Sequence, residues 1–174
     1  MKKLILILTI ALLPFMVNAQ TLSQFEDTDD VTTVIVNKKT FELMSTIGAE
    51  DEETKEFVEL IQGINELKVF TTENSEVAKE MKAVIALRIK DSNLSELLRV
   101  NDKDAKVNIY IKEGKDDDHV TELLMFVNEL KNNGGERNPE AVILSITGDI
   151  DLTKVSQLIN QMNVSDNKNI KIEK

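Results

Sequence analysis

Cysteine and tryptophan are absent from this chain of 174 residues, and histidine and tyrosine occur once each. Without cysteine there is no disulfide, no thiolate–zinc site, no cysteine nucleophile and no c-type haem attachment. A single histidine excludes a His-rich metal site and the two-histidine zincin motif. Basic residues are outnumbered 21 to 31, for a net charge of −10. That balance argues against nucleic acid, whose phosphates need clustered Lys and Arg. The chain has no Gly-x-Ser-x-Gly elbow, no Ser-x-x-Lys, no P-loop and no dinucleotide fingerprint. These motifs point to no cofactor and to no enzyme class.

What is present begins with a leader. Met1-Lys2-Lys3 is a short positive region, and Leu4 to Phe15 is an apolar run broken by Thr9 and Pro14. Val17-Asn18-Ala19 then matches the small-x-small rule for cleavage before Gln20. The apolar run is shorter than the ~20 residues a membrane span requires. Residues 1–19 are therefore read as a secretory signal peptide. Its removal takes Lys2 and Lys3, leaving 19 basic against 31 acidic residues and a charge of −12. An exported chain without cysteine suits a bacterial envelope, periplasmic or extracellular, and must draw its stability from its core. No later segment is long and apolar enough to span a bilayer.

Residues 20–30 are polar and acidic and read as a loosely ordered lead-in. One α+β domain is expected over 31–163, followed by a polar tail at 164–174. Val31 to Val36 is β-branched and reads as a strand. Phe41, Leu43, Met44 and Ile47 suggest a short helix ending near Gly48. Acids at Glu50 to Glu53 open another helix, with Phe57, Leu60, Ile61 and Ile64 as one buried face and Gly63 as its stop. Glu66 to Thr72 alternates, with Leu67 and Val69 opposite Phe70, as a strand does.

Ser75 is the expected cap of a helix carrying Val77, Met81, Val84, Ile85 and Arg88 as far as Lys90. Leu94 to Val100 reads equally as a helical turn or a strand. Val107, Ile109 and Ile111 alternate with Lys106, Asn108, Tyr110 and Lys112, the pattern of a half-buried strand with Tyr110 outward. His119 to Leu130 is apolar on both faces, which a helix also allows, but the tight turn before it favours a hairpin partner. Asn132 to Pro139 is a loop. Ala141 to Thr147 is a further strand, stopped by Gly148, and Asp151 caps a last helix carrying Leu152, Val155, Leu158, Ile159 and Met162.

Consecutive strands with short connections favour a mainly antiparallel sheet, with the helices packed on one face. Leu97-Leu98-Arg99-Val100, Val107 to Glu113, Glu122 to Val127 and Ile146 to Leu152 together resemble the domain-of-unknown-function 4252 family. The resemblance spans most of the mature chain. It implies an exported protein of the Bacteroidetes, and it brings no activity and no catalytic residues to carry over.

Two polar clusters are the candidate sites. In Asp116-Asp117-Asp118-His119, several carboxylates could hold a hard cation. Yet the spacing lacks the pattern of a calcium loop, and a solvated hairpin turn accounts for the same residues. His119, the single histidine, could carry a proton, with a plain surface histidine as the competing and favoured reading. In Gly148-Asp149-Ile150-Asp151, the two acids could pair for hydrolysis or cap a helix that meets an anion. The plain reading is a glycine turn, a hydrophobic staple at Ile150 and an N-cap at Asp151. Glycoside hydrolysis is disfavoured, since only five Phe and one Tyr remain after residue 19.

Three functions follow, in order. The first is a non-enzymatic envelope protein that binds another protein. The second is a carrier of an apolar ligand such as a lipid, suggested by Met44, Met81 and Met162 on apolar helical faces, where plain core filling is the competing reading. The third is an acid-dependent hydrolase using Asp149 and Asp151. Partner and oligomeric state are not legible.

Overall fold

Among the described residues, alternating and β-branched segments form six strands. They are β1 (Val31–Asn37), β2 (Ile64–Thr72), β3 (Ser95–Asn101), β4 (Lys106–Glu113), β5 (His119–Asn128) and β6 (Ala141–Asp151). A computed structural model describes residues 21–46, 52–103, 105–130 and 139–155. The leader, the helix end at Gly48, the loop from Asn132, the helical positions Leu158, Ile159 and Met162, and the tail lie outside the described residues.

The six strands form one sheet in the order β1-β2-β6-β5-β4-β3, with every neighbouring pair antiparallel. The expected α+β class is the one found. β3 to β6 run as a meander, and β6 returns to lie beside β2. The segment 94–100, ambiguous in sequence, pairs with β4 from Ser95 onward as strand β3. The alternating β4 supplies the partner that local propensity could not reveal.

Among the described residues three helices join the strands: α1 (Lys38–Ser45), α2 (Glu52–Gln62) and α3 (Ser75–Asp91). A 3-10 turn (Leu22–Phe25) precedes β1, and a helix begins at 152–155. The lead-in is thus anchored as far back as Leu22, which is 5% exposed. The cap of α3 is Asn74 rather than Ser75. Asn74 has extended backbone, and its side chain accepts from the Glu76 amide at 2.9 Å. Glu76 in the first turn and Arg88 and Lys90 in the last complement the helix dipole.

The helices are not gathered on one face. One face of the sheet presents Phe70, Leu124, Phe126 and Ile143 to Met81, Val84 and Ile85 of α3, and to Leu22 and Phe25 of the 3-10 turn. Phe25 meets Phe70 edge-on, with ring centroids 6.1 Å apart. The other face presents Val36, Leu67 and Ile146 to Phe41 of α1 and Ile61 of α2. A second cluster on that face gathers Val120, Leu123 and Ile150 with Leu152 and Val155. The reason lies in β2, which has Phe70 on one side and Leu67 on the other. A strand apolar on both sides requires cover on both.

Two further expectations change. Phe57 is 40% exposed, so the buried face of α2 narrows to Ile61, while Ile64 already belongs to β2. Gly148 does not stop the strand, because β6 runs on to Asp151. At that point β2 and β6 cross closely, and the Asp149 amide donates to the Gly63 carbonyl at 2.8 Å. A Cβ on Gly63 would lie 2.2 Å from the Asp149 carbonyl oxygen, and one on Gly148 2.2 Å from that of Gly63. Gly148 also has φ +152°, a region that disfavours a side chain.

Candidate functional site

The two polar clusters, about thirty positions apart in sequence, meet at one corner of the sheet. The β4–β5 hairpin closes with the Gly114 amide donating to the His119 carbonyl at 2.9 Å. Inside the turn, the Asp118 amide donates to Asp116 Oδ1 at 3.1 Å. His119 Nδ1 lies 2.6 Å from the same Asp116 oxygen. Across the sheet His119 faces Asp151, and the Leu152 amide donates to the Asp118 carbonyl at 2.9 Å. Lys115 Nζ donates to Asp149 Oδ2 at 2.8 Å. Asp117 is exposed.

Asp151 is the cap of the helix that begins at 152–155. Its Oδ1 accepts from the Thr153 amide at 2.9 Å and from the Lys154 amide at 3.4 Å. Ile150 and Val155 share one apolar cluster, which is the staple read from the sequence. The cap, with the Thr153 hydroxyl bond as its largest cause, holds the Asp151 carboxyl below its ordinary range. The hydrogen bond from His119 does the same for Asp116. Asp149 holds the Lys115 ammonium above its ordinary range.

A hydrolytic carboxylate pair needs one acid pushed up and one kept ionised. At this corner the shifts of Asp116 and Asp151 both run downward, and Asp149 is engaged by Lys115. Among the described residues, no three His, Asp or Glu side chains are disposed to hold a metal ion. The corner is an ion-paired, hydrogen-bonded joint between a hairpin and a helix start.

Residues that no sequence motif marks as a site line a concavity of about 210 Å³ beside α3. Its floor is Ile85, Ile89, Tyr110 and Phe126, and its rim includes Lys82, Lys106 and Glu129. Lys106 and Glu129 form an ion pair that lowers the Glu129 carboxyl from its ordinary value. Tyr110 is half-buried rather than outward, and burial followed by the charge of Glu96 raises its phenol. The alternation of Lys106, Asn108 and Tyr110 reads as a solvent face because α3, which shelters it, is remote in sequence. A wider groove of about 820 Å³ lies at the start of β1, with Asp30, Val31, Thr32, Thr71, Asn74 and Pro139 on its walls. The corner acids line neither concavity.

Where α3 ends, Arg88 donates through Nε and Nη2 to Glu122 Oε1, each at 2.8 Å. Glu122 is 6% exposed, so this pair fastens α3 to β5 at buried depth. On the same face near the 3-10 turn, Lys68 meets Glu26 at 2.9 Å and Glu66 at 3.1 Å. Burial works against the Lys68 charge, but these two carboxylates outweigh it and raise the ammonium above its ordinary value.

The domain of unknown function 4252 matches residues 25–158. The chain belongs to that family. The match runs from Phe25 in the 3-10 turn through β6 and covers both polar clusters and both concavities. No curated protein and no solved structure matches the chain.

Proposed function

We propose that this member of the family is exported to the cell envelope and acts there by binding another protein rather than by catalysis. The observation that supports this is β3, in which all seven residues are exposed. It displays Leu97, Leu98 and Val100 at 50%, 46% and 42% exposure. Contiguous exposed apolar side chains are a common feature of interaction surfaces. The leader supports export, and the joint formed by Asp116, Asp149 and Asp151 with their partners supports a structural role for those acids.

The test is a pull-down from envelope extract with the mature chain beginning at Gln20. The wild type is expected to retain a specific protein that the Leu98→Asp/Val100→Asp variant loses. Recovery of nothing specific across several salt concentrations, or equal recovery by the variant, overturns the reading.

A second reading, a carrier of an apolar ligand, rests on the concavity beside α3. At about 210 Å³ it falls short of the roughly 300–1,000 Å³ typical of small-molecule sites. Its apolar floor and lysine rim would suit part of one acyl chain with an acidic head. A fatty-acid titration followed by Tyr110 fluorescence tests it, and an unchanged signal rejects it.

A further inference from the structure

The two edges of the sheet are guarded differently. β3 has a register shift between Glu96 and Leu98, and the Glu96–Arg99 ion pair sits on the same stretch. Bulges and edge charges both oppose pairing with another strand. β1 has neither. It pairs with β2 in unbroken register from Val31–Thr72 to Asn37–Glu66. Its sequence, Val31-Thr32-Thr33-Val34-Ile35-Val36-Asn37, carries no charge and no proline, and all but Asn37 are β-branched. Val34 and Ile35 are 49% and 42% exposed. Among the described residues no strand lies beyond β1.

We propose that β1 is a self-association edge, pairing antiparallel with β1 of a second copy about a two-fold axis at Val34. Full overlap of the seven residues sets Val34 opposite its own counterpart. It also sets Thr33 opposite Ile35 and Thr32 opposite Val36. These are neutral β-branched pairs of the kind that stabilise antiparallel ladders. The interface is isologous and closed, so it yields a dimer rather than a fibre.

The flanks of the strand decide both orientation and register. Asp29 and Asp30 precede β1, Lys38 and Lys39 follow it, and all four are exposed. In the full-overlap register the Asp29–Asp30 turn of each copy comes beside the Lys38–Lys39 helix start of the other. Each end of the interface therefore joins an acidic turn to a basic helix start. A parallel pairing would bring acids against acids and lysines against lysines, in a protein already at −10. The six-stranded sheet then continues across the two-fold into twelve strands, with β3 at both outer edges. This dimer is independent of the protein-binding reading at β3, and either can fail alone.

The test uses the purified exported chain in sedimentation equilibrium and, because the chain lacks cysteine, single-cysteine cross-linking. A dimer is expected, and Val34→Lys should weaken it about tenfold or more while the circular dichroism spectrum stays unchanged. Asp29→Lys alone and Lys39→Asp alone should each weaken it, and the double swap should restore it. The two-fold brings the Val34 Cα atoms to about 4.5–5.5 Å, within disulfide reach. Val34→Cys should therefore give a disulfide-linked dimer under mild oxidation, whereas Leu98→Cys on β3 should not. A chain that stays monomeric at about 100 μM overturns the proposal. So does a dimer that survives Val34→Lys and links no faster through Val34→Cys than through Leu98→Cys. Should Val34→Lys misfold, the cysteine pair and the charge swap decide the question.

Discussion

The two faces of this sheet are made by the same strands and are closed to different degrees. Under α3, Phe70, Leu124 and Ile143 are wholly buried, and Met81 with them. On the opposite face burial is deep only at its ends, around Ile64 beneath α1 and α2 and around Val120 and Ile150 at the hairpin corner. Between those ends Val69, Met125 and Leu144 are half-buried, and towards the edges Val34 and Leu98 are exposed. Phe70 and Val69 are neighbours in sequence and differ only in the side to which the pleat sends them. The lesson is that apolar content does not set burial. The length and placement of the covering helix does.

The sharpest way to break this comparison is a pair of truncations. Phe70→Ala should lower unfolding free energy by about 3–5 kcal/mol, and Val69→Ala by about 1 kcal/mol, both by urea titration. Equal losses would mean that the faces are closed alike. Next, Gly148→Ala tests the crossing that both faces share, and should cost about 2 kcal/mol or more from the clash with Gly63 and the unfavourable φ. A neutral result would show that β2 and β6 separate freely there.

The ion pairs sharpen the same contrast. Arg88→Ala leaves the Glu122 carboxylate buried without its partner and should cost about 1–3 kcal/mol. Replacing both, as Arg88→Met with Glu122→Leu, should recover much of that loss. Lys39→Ala, which removes an exposed pair with Glu42, should change stability by less than about 0.5 kcal/mol. If the two single variants behave alike, the buried clamp is not special.

The smallest effect concerns the corner. Asp151→Ala should remove about 1 kcal/mol of capping. The Asp151 carboxyl lies below its ordinary range in the folded chain. Its contribution is therefore complete above the ordinary aspartate range and is lost as pH falls through the lowered value. The variant should lose stability at neutral pH but approach the wild type in strong acid. A constant difference across the acid range would remove the cap from the account.

Much of this was legible from residue patterns. β2, β4 and α3 follow from alternation or from 3.6-residue spacing, β1 from its β-branched run and β5 from the tight turn before it, and the Asp151 cap with its Ile150 staple follows from residue type alone. The misreadings share one cause. Gly148 looked like a terminus because a glycine that permits close approach and one that ends a strand are the same letter. Tyr110 looked outward because α3 covers it from a distant part of the chain. The 94–100 segment stayed ambiguous because a strand is defined by its partner. The two acidic clusters looked like separate sites because nothing local says that a β4–β5 turn will meet the end of β6.

Residue order alone carries the α+β class, the positions of most elements and the absence of disulfide and thiolate chemistry. These depend on composition and on periods of two and 3.6, which each segment carries internally. Tertiary structure alone decided that helices cover both faces, that the candidate acids close into one ion-paired corner, and that β1 is a plain edge while β3 is a guarded one. Those depend on which strands become neighbours, and that pairing is not written in any one segment.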